Sequence, residues 1–386
     1  MNVRKLSGLL IVCLSMMFLL MSCNKSCPGF VENSDGAGSV SIRLGFSKQH
    51  TTRATPSSTA KPTTSWAKNI NQLMALFVDN SGIVKAAREI SVPQENSTNA
   101  IQFILQNIPA GSYDVFMIAN YNDVNLDRLT IGGLWNEGNV VGKRMDALTL
   151  SLIANSAYQP NTTTEAGMRG YKEAAEIFMD KKSVRIIADQ TESMPAFQLS
   201  RSVSILRVRI DQSQNGNEGV DFLVPQSDIR VRKVATTFNP QGGLNTINPI
   251  NVLYANGLFK DAEPSGNYTA GKILDPANNI TLWSDLLMFP GGSTLEGAKK
   301  FDIVIGGLAP IGYTPLGHDM PLAKAQMVYW SGQIQAGIVA NNILEVNCVL
   351  KQSGSVEVPE IGAYGNLDMT INIEDWGNVS STDMEM

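Results

Sequence analysis

Two histidines, His50 and His318, are the whole supply of imidazole in this chain of 386 residues, and both fall in loop-like sequence. A Ser-His-Asp triad or a zinc site needs an imidazole with partners at fixed spacing, and the sequence offers none. No GxSxG, GxxxxGK[ST] or GxGxxG run is present. Gly132-Gly133 and Gly291-Gly292 lack the strand-to-helix setting of a phosphate loop and read as turns. The carboxylate neighbours Glu173/Glu176, Glu357/Glu360 and Glu374/Asp375 are the kind of pair a glycosidase sets across a sugar. Among 35 acidic residues, however, such neighbours arise without chemistry. Trp135, Tyr254, Tyr268, Trp283, Tyr329 and Trp330 could stack on sugar faces or pack loops onto their sheets. The expectation is no catalytic residue, no metal and no cofactor, hence no enzyme.

The thiols say more about place than about reaction. Arg4 and Lys5 precede the apolar run Leu9 to Met21, the layout of a secretory signal and too short for a comfortable membrane span. Leu20-Met21-Ser22-Cys23 closes it and resembles the lipobox of bacterial lipoproteins. That resemblance implies cleavage before Cys23 and a lipid on its thiol; the other possibility is an ordinary secretory signal, and either way the mature chain is exported. Cys13 lies inside the signal, leaving Cys27 and Cys348. They could form one disulfide in an oxidising compartment, but Cys348 stands in an alternating strand pattern and reads as a small buried apolar residue.

About 360 residues remain after the signal, enough for two domains of ordinary size. A net charge of −5 with 17% charged residues leaves no basic footprint for nucleic acid, and 43% hydrophobic content supports packed cores.

Strand signals dominate. INQLMALFVDNSGIV, from residue 70, reads as strand, turn at Asp79-Asn80-Ser81-Gly82, and return strand. AIQFILQNIPAGSYDVFMIAN, 100–120, repeats the plan around a Pro-Ala-Gly turn at 109–111. The segment IPAGSYDVFMIAN is similar to a recurring shape in transthyretin-like β-sandwiches. Ala147 to Leu152 alternates as a strand, and Glu173 to Met179 could make a short helix. A second series begins near Pro195: PAFQLS, a break at Ser200-Arg201, then Leu206, Val208 and Ile210 in alternation, followed by DIRVRKVATTF and FDIVIGG. Residues 239–300, rich in Asn, Gly and Pro, read as a long surface loop with short strands. Asn342 to Leu350 is a strand, and Leu367, Met369, Ile371 and Ile373 alternate without fault against polar neighbours. The sum is an all-β chain of two tandem transthyretin-like β-sandwich domains with long loops. The divisions are 1–22 signal, 23–53 N-terminal segment, 54–194 first sandwich and 195–386 second.

One strand stands apart. Val40, Ile42, Leu44 and Phe46 alternate with Ser39, Ser41, Arg43 and Gly45, yet about twenty polar, Pro-containing residues follow before the next strand, with Arg53 in their midst. Thr51, Thr52, Ala54, Pro56 and Ser57 make Arg53 the best site for a protease. Arg43 lies inside the strand, Lys48 is weaker, and Pro62 hinders cutting at Lys61.

Taken in order, the lipobox, the "SVSIRLGF" strand, the polar linker with its Arg, "QLMALFVDNSG", "SVSILRVRI" and the close "LDMTINIEDWGN" resemble the Bacteroidales fimbrillins, subunits of type V pili. The resemblance covers nearly the whole chain in the sequence of its parts. It implies a lipidated precursor whose first strand is removed when a trypsin-like, Arg-specific protease cuts after Arg53. The vacated groove then takes a strand from another fimbrial subunit, drawn from the C-terminal region, here Leu367, Met369, Ile371 and Ile373. Four buried side chains at about 1.5 to 3 kcal/mol each would leave roughly 6 to 12 kcal/mol of apolar surface in water until the groove is refilled. Partners so implied are other subunits, the protease, the outer membrane, and a host protein or glycan as adhesion target. The alternative is a surface lipoprotein that does not polymerise, either a pilus anchor, of which Cys27-Pro28 is reminiscent, or a glycan or host-protein binder.

Overall fold

The computed structural model describes residues 36–46, 70–92, 101–127, 134–211, 216–217, 219–222, 227–242, 245, 247–256, 268–269, 272–274, 280–291, 301–334, 336–360 and 367–375, with backbone alone at 45–46, 101, 209, 211, 256, 268–269, 272–274, 280–285 and 367–375. The signal segment, Cys23, Cys27, His50, Arg53 and Gly132-Gly133 lie outside these residues.

The first sheet has eight strands: β1 (Ala37–Phe46), β2 (Leu73–Val78), β3 (Val84–Ile90), β4 (Ile101–Pro109), β5 (Gly111–Ala119) and, after the elements named next, β9 (Phe178–Ile186), β10 (Thr191–Ser193) and β11 (Phe197–Arg201). Between β5 and β9 lie β6 (Leu126–Asp127), helix α1 (Glu137–Val140), a 3-10 turn (Met145–Ala147), β7 (Leu150–Leu152) and β8 (Arg169–Tyr171). The spatial order is β4, β1, then β10 and β11 end to end, β9, β5, β2, β3. The β2–β3 hairpin forms where the Asp79-Gly82 cluster places it. The Asp79 carboxylate accepts from the Ser81 and Ile83 amides, both at 2.9 Å, and Gly82 takes φ +78, which a side chain disfavours.

β2 is buried along its whole length. Leu73, Ala75 and Phe77 face a core shared with β1, β4 and β11, while Met74, Leu76 and Val78 face a larger one. Burial on both sides is why LMALFV is a continuous apolar run rather than an alternating one. The sheet curls around the smaller core until its ends approach. There Arg88 of β3 donates from Nη2 to the Asn107 carbonyl of β4 at 2.7 Å and from Nε to the Gln106 carbonyl at 3.2 Å.

The second half contains β12 (Ser204–Asp211), β13 (Ser227–Arg232), β14 (Thr237–Phe238), β15 (Asn251–Asn256), β16 (Tyr268–Thr269), β17 (Lys272–Leu274), β18 (Ile280–Met288), β19 (Phe301–Ala309), β20 (Gln326–Ile334), β21 (Asn342–Leu350) and β22 (Leu367–Asp375). One sheet runs β16-β17-β18-β12-β21-β22 and a second β20-β19-β13-β15-β8, with a small β14-β7-β6 sheet beside them. Ile205, Val208 and Val346 of the one meet Ile229, Val231, Ile303 and Trp330 of the other in a single core, which continues through Trp135 and Met145 to β2 and β5. Sheet packed on sheet over a shared core gives the all-β architecture expected from the strand pattern.

Four local expectations change. β4 and β5 do not pair; β4 lies against β1 and β5 between β2 and β9, so the Pro109-Ala110-Gly111 turn carries the chain from one side of the curl to the other. Residues 172–177 have no helix, and Phe178 and Met179 open β9, because Phe178 is needed in the smaller core. Residues 239–300 are more than a loop with short strands: β18 runs nine residues and pairs with β12 from Thr281 to Met288. β11 falls beyond the boundary drawn at 194/195, yet it pairs with β1 and β9 of the first sheet, and Phe197 and Leu199 are buried in that sheet's core. Sheet membership therefore changes at Ser202–Val203. The halves also cross-pair, β8 with β15 and β7 with β14.

Candidate strand-exchange site

β1 is an interior strand. On one side it runs antiparallel to β4, with Val40 opposite Leu105, Ser41 opposite Ile104 and Leu44 opposite Ile101. On the other it runs parallel to β10 over 39–41 and to β11 over 44–46. Its inward side chains Val40, Ile42 and Leu44 are buried among Leu73, Phe77, Val115, Met117, Phe197 and Leu199. These three sites are where the alternating sequence puts them; Phe46 is paired with Leu199 through its backbone.

The start of β1 is held most tightly. The Ser39 amide donates to the Gln190 carbonyl at 2.8 Å, the Asp189 amide to the Ala37 carbonyl at 3.0 Å, and the Met194 amide to the Ser41 carbonyl at 3.1 Å. Gly38 passes so close to the loop 186–190 that a Cβ there would fall inside the Ile187 carbonyl oxygen. It would also stand 2.9 Å from Ile186 Cγ2 and 3.0 Å from the Gln190 carbonyl. A backbone carbonyl does not move aside as a side-chain end does, so this position of the slot accepts glycine alone.

None of these partners adjoins β1 in sequence. They come from 101–109 and 186–201, while β2 lies on the far side of the sheet. A break anywhere between Phe46 and Ile70 would leave β1 held only by hydrogen bonds and packing. Three buried side chains contribute about 5 to 9 kcal/mol, and each ladder hydrogen bond about 0.5 to 1.5 kcal/mol net. Loss of β1 would also strip β4 of its one strand partner among the described residues, leaving it tied through Ala110 and Arg88.

The proposed donor row lies at a sheet edge. β22 pairs only with β21 among the described residues, with Leu367, Met369, Ile371 and Ile373 opposite Leu350, Cys348, Val346 and Leu344. Those four residues of β21 are buried in the larger core. Cys348 is among them as a free thiol, and burial pushes its pKa up, which suits an inert packing residue.

The outward face of β13 carries a cluster that periodicity does not reveal. Glu165, fully buried, bonds Arg230 through Oε2 and Arg232 through Oε1, the latter at 2.7 Å. Asp228 meets Arg230 at 3.0 Å, and the Arg230 guanidinium lies 5.5 to 5.8 Å from the rings of Tyr158, Tyr254 and Tyr329. Burial raises the Asp228 pKa above the usual carboxylate value, against the pull of Arg230. Burial would lower that of Arg230, but the carboxylates of Asp228 and Glu165 outweigh it. Burial, with Asp228 next, pushes the Tyr254 phenol up to about 12. Two acids and two guanidinium groups balance, and the cluster fastens the loop 155–168 onto β13. Residue spacing gave no hint of it, since Glu165 lies 65 positions before Arg230; the one available signal was the alternation Asp228, Arg230, Arg232 on a strand, an unusual row of charge.

Other sequence candidates separate. His318 is exposed between β19 and β20, and its neighbour Asp319 is exposed as well. Trp135 and Trp330 are buried and cannot offer a face to a sugar; the side chains of Tyr268 and Trp283 are outside the described residues. Among the described residues no three His, Cys, Asp or Glu side chains gather to hold a metal, and no helix is long and apolar enough to cross a membrane.

No protein-family model matches the sequence and no curated protein matches it. Solved structures do. A fimbrilin (FimA) from Porphyromonas gingivalis aligns over 90% of this chain and 99% of its own at 14% identity, with a TM-score of 0.48. The fimbrial anchor protein Mfa2 from the same organism aligns over 81% and 90% at 11% identity and 0.42. A candidate cell adhesion protein from Bacteroides eggerthii aligns over 88% and 96% at 11% identity and 0.49.

Proposed function

We propose that this chain is a non-enzymatic structural subunit of cell-surface fimbriae. It is made as a precursor lipidated at Cys23, opened by cleavage after Arg53, and joined to its neighbours by strand exchange in support of adhesion. The observation that carries this reading is the placement of β1. It is the first element among the described residues, it sits inside the sheet rather than at its edge, and every partner holding it is distant in sequence. A fold has no need of a first strand set apart by a long polar linker, but a removable strand needs that separation. With β1 gone, the slot between β4 and β11 exposes apolar surface and unpaired ladder groups, and strand addition from a neighbour satisfies both. The row Leu367, Met369, Ile371 and Ile373 supplies four apolar residues at the same two-residue spacing.

The test is to incubate the purified precursor with a trypsin-like, Arg-specific protease and follow its size on SDS gels. Trimming at Arg53 with an SDS-resistant ladder is expected for the wild type, and neither for Arg53→Ala. A precursor that is trimmed yet stays monomeric would support the alternative of a non-polymerising surface lipoprotein, an anchor or a glycan or host-protein binder. Equal laddering by Arg53→Ala would remove the proposed trigger.

A further inference from the structure

We infer that the strand filling the slot is residues 365–373 of a second copy of this chain, and that its register is set by Gly365 taking the place of Gly38. The inference rests on the strand-exchange reading and its donor row, and adds to them a direction and a register. The slot fixes three requirements. Its walls are antiparallel β4 and parallel β10 and β11, so the incoming strand runs as β1 does. Its apolar sites recur every second residue from Val40. Two residues before the first of them, a Cβ would strike the Ile187 carbonyl and crowd Ile186 and Gln190.

The C-terminal segment meets all three in one alignment. Gly38-Ser-Val-Ser-Ile-Arg-Leu-Gly-Phe46 stands against Gly365-Asn-Leu-Asp-Met-Thr-Ile-Asn-Ile373, with Leu367, Met369, Ile371 and Ile373 at the places of Val40, Ile42, Leu44 and Phe46. The four-residue apolar row of β21 fails the test, because Asn342 stands two before Leu344. A slip of the C-terminal segment by two residues brings Leu367 or Ala363 to the glycine position, each with a Cβ. Gly36, whose Cβ would meet Ala188 at 2.5 Å, precedes β1, and its counterpart Ala363 precedes the nine matched residues.

Register can be read by disulfide trapping between cleaved copies. In this alignment Asp368 takes the place of Ser41, which lies directly opposite the exposed Ile104 of β4. Protein carrying Ile104→Cys, mixed with protein carrying Asp368→Cys and cleaved, should give a cross-linked dimer under mild oxidation. Asn366→Cys and Thr370→Cys donors should not. Gly365→Ala should polymerise at least about ten-fold more slowly than wild type, the effect of forcing a Cβ against a fixed carbonyl. Cross-linking from Asn366→Cys or Thr370→Cys instead of Asp368→Cys, or wild-type assembly by a folded Gly365→Ala, would overturn the register while strand exchange stood. Should Gly365→Ala not fold, the cross-linking series decides alone. Cleaved wild-type protein that forms no polymer would overturn both.

Discussion

Glu165 has no exposed surface and lies between the guanidinium groups of Arg230 and Arg232. A buried carboxylate so placed is costly to desolvate and is kept only because both its oxygens are bonded; removing its charge leaves Arg230 with Asp228 and takes from the buried Arg232 its carboxylate partner. Glu165→Gln, which preserves shape, should therefore lower stability by about 3 to 5 kcal/mol, read by chemical denaturation of the full chain. An unchanged midpoint would mean that the loop 155–168 is held by its Asn161 turn and its packing instead. The site sits far from the β1 slot in the topology, so cleavage-triggered assembly of any folded Glu165→Gln protein should be retained.

At the scale of elements, the proposed exchange requires β1 and its slot to be a separable pair. Ile42 is fully buried at the middle of the strand, and Ile42→Ala should destabilise the uncleaved precursor by about 2 to 5 kcal/mol. Once β1 has been removed and replaced, the same substitution should have no effect on the filament. A denaturation series on precursor and polymer reads both. Strands whose neighbours lie close in sequence, or whose one buried face alternates, were legible beforehand: β1, the β2–β3 hairpin, β21 and β22. What was not legible depends on partners far along the chain. β4 and β5 look like a hairpin from their turn, but β4 is claimed by β1. PAFQLS opens a second series by pattern, yet Phe197 and Leu199 fill the first sheet's core. β18 hides in Asn- and Gly-rich surroundings because its support comes from β12. The slot residues Val40, Ile42 and Leu44 could be named from alternation, whereas the need for glycine at Gly38 comes from a loop about 150 residues later and has no local signature.

For the whole molecule, the proposed function asks that the chain be stable twice, first with its own N-terminal strand and later with a neighbour's. In that proposal the first state would close the apolar slot during export, and the second would turn the same burial energy into an intermolecular joint. The larger core, continuous from β2 through β12, β13 and β21, keeps the remaining structure intact across the exchange. The most direct measurement is the composition of the assembled filament: the N-terminal residue of its subunits by mass spectrometry, together with a search for the 37–46 fragment. Subunits beginning at Ala54, with that fragment absent and a neighbour's strand cross-linked beside β4, are the expected result. Filaments whose subunits retain residues 37–46 in the slot, with no second chain there, would contradict it.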